Sequence, residues 1–269
     1  MAEISAKEVK ALRDATGAGI LDAKKALVET NGDQQAAAQL LREKGLVKAG
    51  QRSDREAAQG AVAAAFVAET GVAALVQLKS ETDFVAKSPP FIQLAAELAK
   101  AVAEEGEAAV DRRKDAIDDL QVTLRENIQL GRVVRFEAAP GNVLETYLHV
   151  QSGRGVNGVL VEISGGSDEL AHDVAVHIAF GKPGYVRRED VPPEEVAAER
   201  ATLEAQTRNE GKPEQAIPKI VDTKLAGWYK RVPGGVLLEQ PYAKDEKQTV
   251  AQILGSATVV RFAQVLIGE

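Results

Sequence analysis

Apolar residues recur at helical spacing through the first 45 positions, with glycine breaks between the runs. Val9 and Leu12 form the first stripe. Ser5 followed by Glu8 is a capping box ahead of it, and Gly17 can take the left-handed conformation that stops a helix. Ile20 to Glu29 reads as a second helix closed by Asn31-Gly32. Asp33 caps a third, in which Ala36, Ala37, Leu40 and Leu41 face inward and Gly45 marks the end. Helices this short are marginal in isolation, so residues 1–46 are expected to form a three-helix module held by mutual packing. The polar stretch 47–60 has no sustained apolar face and reads as a linker.

The pattern then changes to strands. Gly71-Val72-Ala73-Ala74-Leu75-Val76 precedes a helical run from Phe91 to Val102, and Gly158-Val159-Leu160-Val161-Glu162-Ile163 precedes one from Asp168 to Phe180. Val133-Val134-Arg135-Phe136 recurs as Val259-Val260-Arg261-Phe262 after each unit. This order predicts two related α+β subdomains, 61–139 and 140–269, forming one core. Ile117, Leu120, Leu124 and Ile128 predict a helix over 115–129. Within 191–230, Pro192-Pro193 opens a helix and Gly211-Lys212-Pro213 breaks it. Ile217, Val221, Leu225 and Trp228 then stripe the next helix, giving an inserted antiparallel coiled-coil hairpin. The fold class is therefore α+β.

A chain of 269 residues is long enough for about two domains and a sizeable core. It has no cysteine, which excludes disulfides, thiolate metal sites and cysteine nucleophiles. The formal charge of −7 argues against a dedicated nucleic-acid surface. No apolar leader and no run of about 20 apolar residues is present, so a cytoplasmic protein away from the membrane is expected. His172 and His177 are five apart and do not share a helix face as a metal pair would. Gly17-Ala18-Gly19 follows a helix and lacks the later glycine of a dinucleotide loop. Gly181-Lys182 and Gly211-Lys212 are followed by proline where a phosphate loop needs Ser or Thr. No enzyme signature, metal set or cofactor motif emerges.

One loop stands out, Thr82-Asp83-Phe84-Val85-Ala86-Lys87-Ser88-Pro89-Pro90-Phe91. In one arrangement Asp83 or Ser88 caps the following helix while Phe84 and Phe91 enter the core. In the other, Phe84 stays exposed beside an acid as an anchor for a partner pocket. The residue pattern alone leans toward the first.

Longer motifs carry more. The run from Leu12-Arg13-Asp14-Ala15-Thr16-Gly17-Ala18-Gly19 through Ile20-Leu21-Asp22-Ala23-Lys24-Lys25-Ala26-Leu27 resembles the N-terminal signature of the bacterial elongation factor Ts family. Glu81-Thr82-Asp83-Phe84-Val85-Ala86-Lys87 resembles its second signature. Glu126-Asn127-Ile128, Tyr147-Leu148-His149, Gly211-Lys212-Pro213 and Val260-Arg261-Phe262 match in the same order. The resemblance implies a ubiquitin-associated-like N-terminal module, a two-part core and an inserted coiled-coil hairpin. It also implies guanine-nucleotide exchange on elongation factor Tu, met in its GDP-bound and nucleotide-free states. No cofactor, covalent chemistry, direct nucleic-acid contact or membrane contact of the chain's own is implied.

By the same resemblance, Phe84 would wedge into the partner near its Mg²⁺, Asp83 would disturb the metal's water shell, and Thr82 and Val85 would set the loop. Arg13, Ile20 and Leu21 would touch the nucleotide-binding domain. Leu124 and His149 would reach a neighbouring partner helix, and the hairpin with the second subdomain would hold another partner domain. The chain departs from the family pattern at Ile20 and Leu21, where paired methionines are common, and at Ala23 and Ser80, where cysteines are common. Arg125 stands where glycine is frequent, and Gly131 where arginine is usual. A scaffold that docks partners without exchange, and a small α+β enzyme with a site between the subdomains, are the competing readings.

Overall fold

The computed structural model of the chain describes residues 4–50, 52 and 54–268. Its N-terminal unit is α1 (Ala6–Thr16), α2 (Ile20–Glu29) and α3 (Gln34–Gly50). The Ser5 hydroxyl accepts from the Glu8 amide at 3.3 Å while the Glu8 carboxylate accepts from the Ser5 amide at 2.7 Å. Gly17 ends α1 at φ 64°. Val9, Leu12, Ala23, Ala26, Leu27 and Ala37 are buried together.

Two expectations about α3 need correction. Ala36 is exposed, and Ala38 packs inward with Leu40 and Leu41 instead. Gly45 does not end the helix, which runs on to Gly50 through the first residues of the supposed linker. A Cβ at Gly45 would lie 2.5 Å from Val122, so this glycine lets α3 approach another helix closely. Gln51 and Ser53 of the expected linker lie outside the described residues.

The first half of the core contains β1 (Gln59–Val67), β2 (Val72–Ser80), α4 (Asp83–Ala86), α5 (Pro89–Glu105), α6 (Lys114–Leu124) and β3 (Gln129–Glu137). Its antiparallel sheet has the order β1-β2-β3. The second half contains β4 (Asn142–Gln151), β5 (Arg154–Ser164), α7 (Asp168–Gly181), α8 (Pro193–Asn209) and α9 (Ile217–Tyr229). It continues with β6 (Pro241–Tyr242), β7 (Asp245–Thr249), α10 (Val250–Leu254) and β8 (Thr258–Leu266). Its main sheet has the order β4-β5-β8, beside a small β6-β7 pair. Each half is thus a hairpin, a covering helix, and a last strand that returns to the free side of the hairpin's second strand.

Alternation of side chains on the central strands gives three buried layers. Val72, Val76 and Leu78 face Phe91, Leu98 and Val102 of α5. Val159, Val161 and Ile163 face Val174, Ala175 and Ile178 of α7. Val62, Ala73, Leu75, Leu144, Leu160 and Val265 fill the layer where the two sheets meet. The sheets approach closely there. A Cβ at Gly155 would fall 2.2 Å from the Val62 carbonyl oxygen, and one at Gly158 would fall 2.8 Å from the Val62 and Leu75 side chains.

The repeated tetrapeptide is equivalent only in part. Val133 and Val259 both face the helix layer, but a bulge in β8 at Val260 shifts the phase. Phe136 consequently points into the inter-sheet layer and Phe262 toward α7. A second difference concerns α6, expected over 115–129. It stops at Leu124 because Arg125 is left-handed at φ 59°, and Ile128 is buried on the extended approach to β3. The helix pair α8 and α9 buries Leu203, Ile217, Val221 and Leu225, with Tyr229 also buried and Trp228 packed against them half-buried. Among the described residues no helix is long and apolar enough to cross a membrane.

One charge is buried in this core. Glu162 accepts from the Ala139 amide at 2.8 Å, from Asn142 at 2.7 Å and from Arg261 at 2.7 Å. Burial pushes its carboxyl up, but the hydrogen bonds from Asn142, Ala139 and Arg261 outweigh that and hold it below the ordinary carboxylate range. Arg261 also stacks 4.3 Å over the Phe136 ring and donates to the Glu137 carbonyl, so this carboxylate ties the two halves together. Removing it by Glu162→Ala leaves the Ala139 amide and the Asn142 side chain without their acceptor and is expected to cost about 1–3 kcal/mol in a denaturant titration. Because the carboxyl is depressed in the folded state, its contribution is complete above the unfolded value near ~4 and is lost as pH falls through the lower folded value. Stability measured from pH 6 to pH 3 should therefore fall more steeply for the wild type than for Glu162→Gln. Parallel curves would contradict this role.

Candidate partner-docking site

β2 ends at Ser80, and the chain turns through Glu81 and Thr82 into the single turn of α4. Thr82 is extended at φ −117°, and its hydroxyl accepts from the Val85 amide at 3.3 Å. Thr82 thus caps α4, while of the two candidates for the cap of the longer helix α5 it is Ser88 that stands at the N-cap, without a side-chain cap bond, and Asp83 that lies inside α4. Ser88 heads α5, and its hydroxyl donates to the Val85 carbonyl at 2.7 Å, while Pro89 and Pro90 occupy the first helical positions. Ala86 and Phe91 are buried beneath the turn and Val85 packs at the core's edge. Phe84 goes the other way and is 83% exposed. The loop thus combines the two arrangements considered from sequence, with Phe91 inside and Phe84 outside.

Non-local hydrogen bonds brace the turn from below. Glu126, two residues past α6, accepts from both the Thr82 hydroxyl and the Thr82 amide, the latter at 3.1 Å. In return the Asn127 amide donates to Glu81 at 2.7 Å. The Asn127 side chain donates to the Arg55 carbonyl, and the Arg55 guanidinium pairs with Glu81 at 3.4 Å. Residues 81–82 and 126–127 therefore exchange donors and acceptors on both sides. Glu81, Glu126 and Asn127 were visible as motif matches, but spacing alone gives no sign that residues some 45 apart interlock.

Electrostatics favour a charged Asp83. The hydrogen bond from Lys87, one turn on at 2.5 Å, is the main cause holding its carboxyl below the ordinary range, and the charge of Arg154 adds to it. Arg154 opens β5 and donates to the Gly60 carbonyl and to Gln59. The β4–β5 hairpin, which also carries His149, thus comes within electrostatic reach of the turn. His149 is exposed on β4, an edge strand, with its Nδ1 3.4 Å from the Tyr147 hydroxyl.

The N-terminal unit meets the same region. A Cβ at Gly17 would lie 3.4 Å from Thr123, and one at Gly19 would lie 3.8 Å from Arg125. The loop 17–19 therefore rests against the end of α6, immediately before Glu126. From this loop α2 presents Ile20 at 57% and Leu21 at 74% exposure. Val28 is also exposed, seven residues after Leu21 and so on the same helical face. It was not singled out from the sequence, although that spacing could have found it. Arg13 is half-buried and pairs with Asp14 at 2.7 Å. Leu124 is half-buried against the α5 core. Of the three histidines, His177 is a core residue bonded to Gln240 at 2.9 Å and to the Ala243 amide. Among the described residues no cluster of His, Asp or Glu could hold a metal ion.

What this arrangement offers is contact. An apolar tip and an adjacent anion stand on a braced turn, flanked by an apolar helix face and an edge strand. A model of the family described as elongation factor TS matches residues 81–269. The chain is 44% identical to elongation factor Ts of Acidothermus cellulolyticus over 283 aligned positions, covering all of both chains. It is 43% identical to the proteins of that name from Clavibacter michiganensis subsp. michiganensis and Renibacterium salmoninarum, again over the full length of each. These matches, made over whole chains and including both signature regions, place the protein in the elongation factor Ts family of translation factors.

Proposed function

We propose that the protein is the guanine-nucleotide exchange factor of elongation factor Tu and acts in the cytoplasm by binding, without covalent chemistry. The observation that carries this reading is Phe84, an aromatic left 83% exposed on a turn held on every side by hydrogen bonds. An exposed phenylalanine costs nothing to a protein that later buries it in a partner, and a rigid support spends little entropy when it docks.

The physical task is defined by linkage. Nanomolar GDP affinity corresponds to about −12 kcal/mol, much of it from the phosphate loop and Mg²⁺ of a GTPase. A factor that bound the loaded and empty forms equally would shift nothing, so it must prefer the empty, metal-free form. In this reading Phe84 enters an apolar pocket beside the partner's metal site, contributing about 1.5–3 kcal/mol. Asp83, kept anionic by Lys87, competes for the donors that order the metal's water shell. Thr82 and Val85 keep the turn in register. Arg13, Ile20 and Leu21 grip the nucleotide-binding domain from the helical unit, while Leu124 and His149 meet a neighbouring helix. The α8–α9 pair and the second half of the core hold a further domain, so that force is applied between separated contacts. The N-terminal unit, with the ubiquitin-associated-like character its sequence implies, and the coiled-coil pairing of α8 with α9 serve in this reading as grips.

Release of a fluorescent GDP analogue from elongation factor Tu, followed by stopped flow at increasing concentrations of the protein, tests this. Wild type should accelerate release. Phe84→Ala should slow the saturated rate about ten- to a hundred-fold while weakening the complex by less, as expected if the side chain acts mainly where nucleotide is leaving. Equal losses in rate and affinity would make Phe84 a grip only, and no acceleration by wild type would leave a scaffold. Thr82→Val removes the cap and one of the two bonds to Glu126, worth about 1 kcal/mol. Hydrogen exchange of the amides in 83–88 should rise about five-fold or more, with a parallel loss of exchange rate. Unchanged protection would contradict the bracing.

A further inference from the structure

We propose that the cleft between the N-terminal helices and α6 binds a small polyphosphate anion of pyrophosphate size. The inference does not rest on the exchange reading, since it concerns a free solute in a cleft behind the 17–19 loop and none of Phe84, Ile20 or Leu21 lines it. The cleft encloses about 600 Å³ and is walled by the ends of α1 and α2, by α3, and by the last turn of α6. That volume suits a small-molecule ligand.

Its charge is opposite to that of the molecule. The chain as a whole carries −7, yet among the described residues five cations and two carboxylates, Asp22 and Asp119, line the cleft. Two of the cations are neutralised within the protein: Lys44 by Glu29 at 2.6 Å, and Arg42 by Asp119 at 2.9 Å. Lys25, Arg52 and Arg125 have no ion pair among the described residues. Nη1 of Arg52 is moreover buried without a hydrogen-bond partner, a state that costs free energy unless a ligand or water supplies an acceptor. Arg125 holds a left-handed backbone at φ 59°, a conformation that favours glycine. A residue in that backbone state thus lines the cleft, its guanidinium near Gly19.

Shape and charge together select the ligand. Three unpaired cations within one concave wall focus a positive field on a compact di- or triphosphate. A long nucleic acid would meet the net negative charge of the surrounding surface. Among the described residues no aromatic side chain lines the cleft, so a nucleobase finds no stacking partner there.

The test is calorimetric titration of the full-length protein with inorganic pyrophosphate, without divalent metal and at low ionic strength. Saturable one-site binding below 1 mM is expected in order of magnitude, weakening steeply with salt. Arg52→Gln with Arg125→Gln should reduce affinity at least about ten-fold. Lys25→Gln, an exposed single change, should reduce it by a smaller factor and serves if the double variant folds poorly. Lys100→Gln on α5, paired with Glu104 far from the lining, should leave it unchanged. Arg125→Gly should lose affinity while melting no lower than wild type, separating ligand contact from folding. Amide resonances of Gly17, Gly45 and Val122 should shift on binding. ADP should bind no more tightly than pyrophosphate, and tighter binding of ADP would overturn the assignment to phosphate alone. Absence of saturation, undiminished affinity in the charge variants, or shifts confined to another surface would overturn the site.

Discussion

Everything the docking surface offers depends on the reciprocal hydrogen bonds between Glu81-Thr82 and Glu126-Asn127. These four residues leave and enter the first sheet at its two neighbouring strands, β2 and β3, where the ladder ends and backbone groups need new partners. Side-chain carboxylates and an amide supply them. The result is a stiff corner from which Phe84 projects on one side. Thr123 and Arg125, just upstream of Glu126, receive the 17–19 loop on the other. Both signature stretches of the sequence therefore rest on one short segment of chain.

That arrangement accounts for how, in the proposed function, contact rather than covalent chemistry does the work. A surface made of a braced apolar tip, an anion held charged by Lys87, and an apolar helix face is built for differential binding, in which geometry rather than reactivity carries the effect. The close apposition of the two sheets at Gly155 and Gly158, and the buried Glu162 carboxylate reached by the exposed Arg261 between the halves, make the platform behind it one packed body.

Local signals in the sequence were read correctly where the physics is local. The Ser5–Glu8 capping box, the left-handed Gly17, the stripes of α1 and α9, and the hairpin–helix–strand order of both halves all follow from neighbours along the chain. Errors arose where a residue type serves two purposes. Gly45 carries the signature of a helix end, yet it is a close-contact position against Val122, a partner some 77 residues away. Ile128 continues the helical period of Ile117, Leu120 and Leu124, but a left-handed Arg125 intervenes, and arginine gives no warning of that backbone state. The bulge at Val260 turns an apparent four-residue repeat onto opposite faces. Within the site, the residue pattern leaned toward burying Phe84 and only the family resemblance placed it outside, where it stands; the roles of Glu126 and Asn127 depend on a contact no spacing encodes.

The central claim is that the protein distinguishes two states of one partner. Its most direct measurement is the dissociation constant for elongation factor Tu determined calorimetrically twice, once with the partner nucleotide-free in chelator and once saturated with GDP and Mg²⁺. The account predicts much tighter binding to the empty form, by a factor equal to that by which this protein weakens GDP binding. Equal constants for the two forms would contradict it, whatever the strength of the complex.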